Sequence, residues 1–154
     1  MKVERLPGWR VSTAQALELQ KELAVLVSRA SEITRLRFIA GADISVRKET
    51  EMATAAVVVL EYPGLKLVKS QAVNGRLDFP YVPGLLSFRE SPLILEACEE
   101  FAIILDVLMV DGQGIAHPRW MGLASRLGFF KHTNYWLRQI AFMWYSSAAG
   151  HGNG

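Results

Sequence analysis

Cysteine, long apolar runs and a strong excess of either charge are all scarce in this sequence. Cys98 is the only cysteine among 154 residues, so no disulfide can form within the chain, and nothing indicates an oxidising compartment. The first ten residues carry no apolar segment of the kind found in secretory signals, and no apolar run is long enough to span a bilayer. We therefore expect a cytoplasmic protein without a membrane partner, and no obligate protein partner is evident.

The charge balance also limits the classes of function. The formal net charge is only +2, with 51% apolar and 21% charged residues, which is typical of a globular domain and not of a disordered chain. A protein that holds nucleic acid through charge alone is usually more basic. A protein that engages a few phosphates beside a metal ion need not be. The length suits a single domain with a real core.

Apolar spacing and turn residues predict a mixed sheet flanked by helices, an α/β fold. The predicted helices cover residues 13–29, 85–101 and 119–130, and the predicted strands cover 37–45, 53–62, 65–73 and 106–110. Ser12 and Gln15 have capping-box spacing at the start of the first helix. Pro92 is expected to bend or break the second. Because the strand 106–110 shows no alternation, we expect both of its faces to be covered.

Two carboxylates lie within or at the end of apolar strands, where an unpaired charge is unfavourable. Asp43 belongs to the first strand and Asp111 follows the fourth. If these strands are neighbours, the carboxylates converge at one edge of the sheet and require a cation between them. Carboxylate oxygens suit Mg²⁺ or Mn²⁺, and Glu90 is a possible third ligand. On position alone, both aspartates are equally explained as ordinary residues at the start of loops.

Several stretches of the chain form long motifs. Residues 79–90, FPYVPGLLSFRE, resemble the signature F-P-Y-I-P-G-x-L-x-F-R-E of the endonuclease V family. Residues 110–119, VDGQGIAHPR, resemble V-D-G-x-G-x-A-H-P-R, and residues 122–125, GLAS, continue it. Residues 40–45, AGADIS, resemble the motif of the first strand. The motifs keep the family's order and spacing over about residues 9–130.

This resemblance implies a ribonuclease H-like fold in which the first and fourth strands are adjacent and parallel. It implies an enzyme of DNA repair that hydrolyses a phosphodiester near a deaminated base, at the second bond 3′ of inosine, in DNA and possibly in RNA. Asp43, Glu90 and Asp111 would form a metal centre for Mg²⁺, with Mn²⁺ also possible. His117 would lie near the scissile phosphate, or would pack the loop that follows Asp111.

The proline-rich loop of the first signature has the stiffness expected of a wedge between bases. A rigid loop with an aromatic tip can enter the base stack and keep the strands apart. The residues assigned to the wedge are Pro80, Tyr81, Val82 and Pro83. A displaced base needs a pocket that recognises its edge, and the pocket candidates are Gly84, Leu86 and Gly112. The alternative is that the glycines only satisfy turn geometry.

The resemblance ends after Phe130, which divides the chain into an endonuclease V-like domain, residues 1–130, and a divergent tail, residues 131–154. The family continues with a strand of the type I-P-T-I-G-x-A-K-S, whose lysine belongs to the active site, and with a C-terminal part that holds another functional histidine. We therefore expect the sheet to lack its fifth strand. Lys131 and Arg138 are the nearest cations in sequence, and neither is expected in a strand that points it at Asp111.

We hypothesise that the tail results from a frameshift near Lys131, either real or a sequencing artefact. One permitted coding of residues 132–145, with its first base dropped, translates as I-P-T-I-G-C-A-K-S-L-L-C-G. The codons were chosen to give this result, although Trp136 before a leucine forces the glycine and Gln139 before Ile140 allows only lysine or arginine. The nucleotide sequence of the gene tests this hypothesis.

Three functions compete at this point. The first is the metal-dependent endonuclease acting on inosine. The second is a catalytically impaired, inosine-binding remnant of that enzyme. The third is a different ribonuclease H-like nuclease such as a resolvase, which accounts for the carboxylates but leaves the Tyr81 wedge unexplained.

Overall fold

The computed structural model describes residues 10–30, 33–129 and 137–143, with only the backbone for residue 129 and for the last segment. Three helices and five strands follow one another in this part of the chain. They are α1 (Thr13–Ala24), β1 (Phe38–Arg47), β2 (Met52–Glu61), β3 (Lys66–Arg76), α2 (Leu86–Glu99), β4 (Leu105–Asp111), α3 (Leu123–Phe129) and β5 (Leu137–Met143). Within these ranges, no helix has the length and apolar character needed to cross a membrane.

The strands form one mixed sheet in the order β3-β2-β1-β4-β5. The first three strands pair antiparallel, as expected for segments joined by short turns, while β1 and β4 run parallel. The connection from β3 to β4 contains α2, which packs against β1, β2 and β3. The predicted ribonuclease H-like arrangement, with the first and fourth strands adjacent and parallel, is confirmed.

The main core lies between α2 and one face of the sheet. Alternate residues of each strand point towards the helix, and the burial pattern of β2 repeats with the period of two that a strand requires. The buried apolar strand residues of this core are Ala40, Ala42, Ala53, Ala55, Val57, Val59, Leu105, Leu108 and Val110, and they form one cluster with Leu93, Ile94, Leu95, Ala97 and Cys98 of α2. Each fully buried valine or leucine of this kind stabilises the fold by about 1.5–3 kcal/mol.

The opposite face of the sheet is only partly covered by the described residues. Ile39 of β1 and both Val107 and Met109 of β4 are half-buried, and Val58 of β2 is exposed. The expectation that both faces of β4 are covered is therefore wrong for the described structure. The strand alternates between buried and half-buried positions, and its apolar sequence conceals that alternation.

The expected loss of a fifth strand is also wrong. Leu137–Met143 pairs in parallel with β4, and the register runs from Leu105 opposite Leu137 to Asp111 opposite Met143. A largely apolar segment such as LRQIAFM can satisfy an open strand edge through its backbone whatever motif it carries, because the ladder hydrogen bonds are independent of side chains. Residues 130–136 and 144–154 lie outside the described residues, so the division of the chain at residue 130 stays a prediction.

The helix boundaries differ from the predicted ones for identifiable reasons. The capping box of Ser12 and Gln15 is present, but α1 ends at Ala24 and not near residue 29. Val25 and Leu26 are 82% and 60% exposed, so no packing favours another turn. Helix α2 continues through Pro92, so the predicted break is absent. Helix α3 begins at Leu123, because the segment before it forms the loop described below.

Candidate active site

Asp43 and Asp111 lie side by side on neighbouring parallel strands. The β1–β4 pairing includes Ala42 opposite Val110, and both aspartates follow by one residue. Neighbouring strands are about 4.8 Å apart, so the two carboxylates leave the same face of the sheet at the same level. Both are exposed. The Asp43 side chain is turned along its own strand, where Oδ1 accepts a hydrogen bond of 2.8 Å from the amide of Ile44.

Glu90 is the third carboxylate of this region and lies in the second turn of α2. It is half-buried, and burial is the main reason that its pKa is raised above the ordinary value of a glutamate. Arg89 lowers the pKa, while the negative charges of Asp43 and Asp111 raise it further. The three carboxylates therefore repel one another electrostatically across the site, as like charges do when they converge.

The carboxylates have the right chemistry for a hard divalent cation, but their side chains do not form a finished binding cage. Among the described residues, no three histidine, cysteine, aspartate or glutamate side chains are close enough to hold one metal ion together. The exposed Asp43 carboxylate accepts a bond from its neighbouring amide and can rotate towards Asp111 without unpacking the core. The donor set of two strand aspartates and one helix glutamate thus fits Mg²⁺ or Mn²⁺ after a change of rotamer.

A cavity of about 550 Å³ opens beside these carboxylates. Its size is within the range of pockets that hold small organic groups. It is lined by Pro83, Gly84, Leu86, Ser87, Glu90, Asp111, Gly112, Gln113, His117, Pro118, Arg119, Gly122 and Leu123. The structure therefore places the three pocket candidates, Gly84, Leu86 and Gly112, around the same space as two of the acidic residues and His117.

The proline-rich loop borders this cavity through Pro83, and its base is fixed by packing and hydrogen bonds. Phe79 is buried and its ring lies 5.7 Å from that of Phe88, centroid to centroid. The guanidinium of buried Arg89 donates to the Phe79 carbonyl and pairs with Glu51. Tyr81, by contrast, is 69% exposed. An aromatic side chain in water on a firmly anchored loop is the geometry that a wedge requires.

The remaining wedge candidates differ in exposure. Pro80 and Pro83 are exposed, and Val82 is half-buried against the cluster formed by α1 and the loop. The Val82 carbonyl accepts a hydrogen bond of 2.9 Å from the amide of Leu85, which closes the turn at the end of the loop. Pro80, Tyr81 and Pro83 are therefore the three members of the loop that are open to a partner.

Gly84 connects the wedge loop to α2 and must be a glycine. Its φ is +83°, and a Cβ there would lie 2.5 Å from the Arg119 guanidinium. The Gly84 carbonyl accepts hydrogen bonds from Gln20 at 3.0 Å and from Arg119 at 2.9 Å. Gln20 also donates to the Met121 carbonyl at 2.8 Å and accepts a bond from Arg119. These side chains join α1, the wedge loop and the loop after β4.

His117 is buried against this network. Its Nδ1 accepts a hydrogen bond of 3.0 Å from the amide of Arg119, which requires an unprotonated nitrogen at that position. Burial lowers its pKa, the positive charge of Arg119 lowers it further, and the Gly84 carbonyl opposes both effects. His117 therefore packs the loop that follows Asp111 as a neutral ring, and it also lines the cavity.

Three residues near the cavity were missed in the sequence. Gln20 is fully buried, one turn after buried Ala16 on the packing face of α1, and a glutamine on an apolar helical face is a signal that could have found it. Arg119 was noted only as part of a motif. Ser87 is also buried, and its hydroxyl has no hydrogen-bond partner among the described residues. Nothing in the local sequence marks Ser87.

Sequence comparisons with known proteins all identify the same family. The sequence model of the family described as Endonuclease V matches residues 7–134. Endonuclease V of Dehalococcoides mccartyi is 44% identical over 130 residues, which cover 84% of this chain and 58% of that protein. Endonuclease V of Gloeobacter violaceus is 48% identical over 125 residues, or 80% and 51% of the two chains. The chain thus spans between half and three fifths of the length of these curated relatives.

Solved structures of the same family resemble this chain. The crystal structure of Endonuclease V from Streptomyces avermitilis superposes with a TM-score of 0.74 at 36% identity, over 81% of this chain and 56% of that one. Ciona intestinalis Endonuclease V, in complex with a 23mer DNA containing an inosine followed by a ribo-adenosine, superposes with a TM-score of 0.69 at 29% identity. That match covers 80% of this chain and 56% of the other.

Proposed function

The chain belongs to the endonuclease V family, and from that premise we propose that it is a metal-dependent endonuclease of DNA repair that acts on inosine-containing nucleic acid. The observation that carries this proposal is the cavity, because it joins the end of the wedge loop at Gly84 to the carboxylates Glu90 and Asp111. A base displaced by Tyr81 would lodge there while its backbone lies over the acidic residues.

Base recognition in this proposal relies on few polar groups. Inosine differs from adenosine in its O6 acceptor and its N1 proton, so the cavity must offer a donor and an acceptor. The Gly84 carbonyl is already used by Gln20 and Arg119, which leaves it little capacity for a base. The Ser87 hydroxyl can both donate and accept, and Gly112 lets a base approach the backbone closely.

The cleavage step depends on charge at the edge of the sheet. Asp43, Glu90 and Asp111 would hold Mg²⁺ or Mn²⁺, which when bound supplies a more acidic water and offsets negative charge on the phosphate. Burial is the main reason that the pKa of Glu90 is raised, and the charges of Asp43 and Asp111 raise it further; a bound cation would offset that repulsion between the carboxylates. His117, held neutral by the Arg119 amide, would keep the loop after Asp111 in place and face the substrate across the cavity.

Removing one strand carboxylate tests the metal centre. Asp111→Asn keeps the shape of the side chain but removes its charge, so Mg²⁺-dependent nicking of an inosine oligonucleotide should fall at least about 10²-fold. The measurement is single-turnover nicking with Mg²⁺ and with EDTA, for the chain and for a version with the reading frame restored. Asp78→Asn, an exposed aspartate before the wedge loop, is the matched control. Near-normal nicking by Asp111→Asn would remove this residue from the centre.

A second candidate function is an inosine-binding remnant with impaired catalysis. It is favoured by the absence of a three-residue metal cage in the described structure and by a tail that lacks the family's lysine motif. Gel shifts with inosine and control oligonucleotides, first in Mg²⁺ and then in Ca²⁺, separate the two functions. Inosine-selective binding without nicking in Mg²⁺ supports the remnant, and DNA and RNA versions of each probe determine the preferred nucleic acid.

A further inference from the structure

A second groove, of about 540 Å³, lies between the end of α1 and the loop before α3. Apolar and cationic side chains line it together. The lining residues are Lys21, Ala24, Val25, Val27, Arg29, Ile115, Arg119 and Trp120. Ile115 and Arg119 belong to the motif of residues 110–119, whereas the other lining residues lie outside the motifs, and no step proposed above uses the groove as a binding site.

Trp120 gives the groove an aromatic wall that is open to solvent. The side chain is 56% exposed, although burial of an indole is strongly favourable. Its backbone has φ of +61°, a conformation that is uncommon for a bulky residue and that persists only where the surroundings enforce it. A hydrogen bond of 2.7 Å from the Trp120 amide to the His117 carbonyl holds it there. The fold thus presents the ring on a rigid support.

The charges in the groove favour an anion. The Arg29 guanidinium lies 4.7 Å from the centroid of the Trp120 ring, and Lys21 forms only an exposed pair with Glu18, which is worth little in water. Among the described residues that line the groove, three are cationic and none is acidic. An aromatic face beside cations is the combination that binds a nucleotide, through stacking on the base and attraction of the phosphate.

The groove is also continuous with the candidate active site. Arg119 lines both the groove and the base cavity, and its bonds to Gln20 and Gly84 fix it as the wall between them. His117, two residues away, lines the base cavity while Trp120 lines the groove. A strand that leaves the base cavity therefore passes over Arg119 into the groove.

We propose that this groove is a binding site for a nucleotide that flanks the displaced base. Its base stacks on Trp120, and its phosphate is held by Lys21 and Arg29. The inference rests on the proposed function for the identity of the substrate strand, but stacking and phosphate attraction are independent of inosine. The ligand class is a single-stranded or unpaired nucleotide of DNA or RNA.

Trp120→Ala and Trp120→Phe test the stacking contact in the full chain. Binding is measured in Ca²⁺ by fluorescence anisotropy with inosine and undamaged oligonucleotides, in DNA and RNA versions. Trp120→Ala should lower affinity for the oligonucleotides about tenfold, and Trp120→Phe should recover most of the loss. Leu65→Ala is the matched control, because Leu65 is also 56% exposed and has φ of +55°. Circular dichroism melting checks that every variant is folded.

An abasic scan identifies the nucleotide. Each position that flanks the inosine is replaced in turn by an abasic site, and the penalty of Trp120→Ala should disappear at one position only. Arg29→Gln should lower the slope of log affinity against log salt by about one. Equal affinities of the wild-type chain and Trp120→Ala, with inosine preference intact, overturn the groove and leave the proposed function standing. A loss shared by inosine and undamaged probes, without any inosine preference, supports the groove and overturns the function.

Discussion

At the scale of single residues, Tyr81 is the side chain whose exposure most needs an explanation. It stands 69% exposed at the tip of a loop whose base is fixed by buried Phe79 and Arg89. An exposed tyrosine on a mobile loop would need no functional reason, but here the loop is stiffened by two prolines and anchored to α2. Its position therefore favours contact with bases over a role in the stability of the protein.

Tyr81→Ala should weaken discrimination for inosine more than it weakens general nucleic-acid binding. The ring would stabilise the opened duplex, whereas contacts to phosphates do not depend on the base. The measurement is the ratio of Kd values for inosine and undamaged duplexes, with exposed Tyr62→Ala as control. Equal losses for the two duplexes would contradict the wedge.

His117 makes the stability of the protein depend on pH. Its pKa in the folded state is lowered, chiefly by burial, so the unfolded chain takes up a proton first as the pH falls. The stabilisation by the neutral ring is complete above the ordinary histidine value of about 6.5. It is lost as the pH falls from there towards the lower folded-state pKa.

His117→Asn should remove this dependence, because the amide oxygen can still accept the bond from Arg119 but does not titrate. Urea unfolding at pH 7.5 and at pH 5 measures this pH dependence. The free energy of unfolding of the wild-type chain should fall more between pH 7.5 and pH 5 than that of His117→Asn. Gln113→Ala, an exposed position of the same loop, should follow the wild type. Parallel losses in the wild type and His117→Asn would show that the ring is not held neutral.

At the scale of elements, α1 is the part that fixes the geometry of the cavity. It packs through Ala16 on Phe79, Leu85 and Phe88, and through Gln20 it reaches two loops at once. Neither loop has regular structure of its own, so buried side-chain hydrogen bonds take the place of a backbone ladder. Helix α1 contributes no carboxylate to the site, but through Gln20 it fixes the positions of the two loops that border the cavity.

Gln20→Ala should destabilise the chain by about 2–3 kcal/mol, because it removes the Gln20 donor from the Met121 carbonyl and one of the two acceptors of the Arg119 guanidinium in a buried setting. The midpoint of urea unfolding measures the change. Glu22→Ala, on the exposed side of α1, should stay within about 0.5 kcal/mol of the wild type. If both variants unfold at the same urea concentration, the network holds the loops without adding stability.

At the scale of the whole molecule, the pairing of strand β5 determines which of its residues lie level with Asp111. Strand β5 completes the sheet beside β4, but the residue opposite Asp111 is Met143. Arg138, one residue after Leu137, stands at the other end of the strand near the level of Asp106. The described strand therefore places no cationic residue level with Asp111. The strand motif of the family pattern, in contrast, contains a lysine.

The chain as it stands should show little or no nicking, and a frame-restored version should exceed it by about 10²–10³ in rate. A difference of this size is typical when one preorganised charged group is removed from an active site. Single-turnover assays on inosine DNA and RNA with Mg²⁺ compare the two proteins. Equal, inosine-specific rates would show that the missing segment is dispensable.

The sequence by itself determined the elements and the chemistry that short segments encode. Apolar runs and turn residues located strands β1 to β4, and Ser12 and Gln15 located the start of α1, because these signals act over a few residues. The motifs placed Asp43 and Asp111 on neighbouring strands and Gly84, Leu86 and Gly112 around one pocket. Such motifs carry information about tertiary structure that periodicity alone does not contain.

Only the tertiary structure decided the features that depend on distant partners. Gln20 bonds to Gly84 and Met121 across 64 and 101 residues, and no local pattern contains such a pairing. The fifth strand forms because β4 offers an open edge, and a backbone ladder accepts a segment that the motifs had excluded. Trp120 leaves the predicted helix for a left-handed conformation, in a loop that hydrogen bonds from Gly122 to Gly114 and from Ala124 to Gln113 fold back on itself. Hydrogen bonds between remote residues exist only once the chain has folded, and for that reason these features were beyond the sequence.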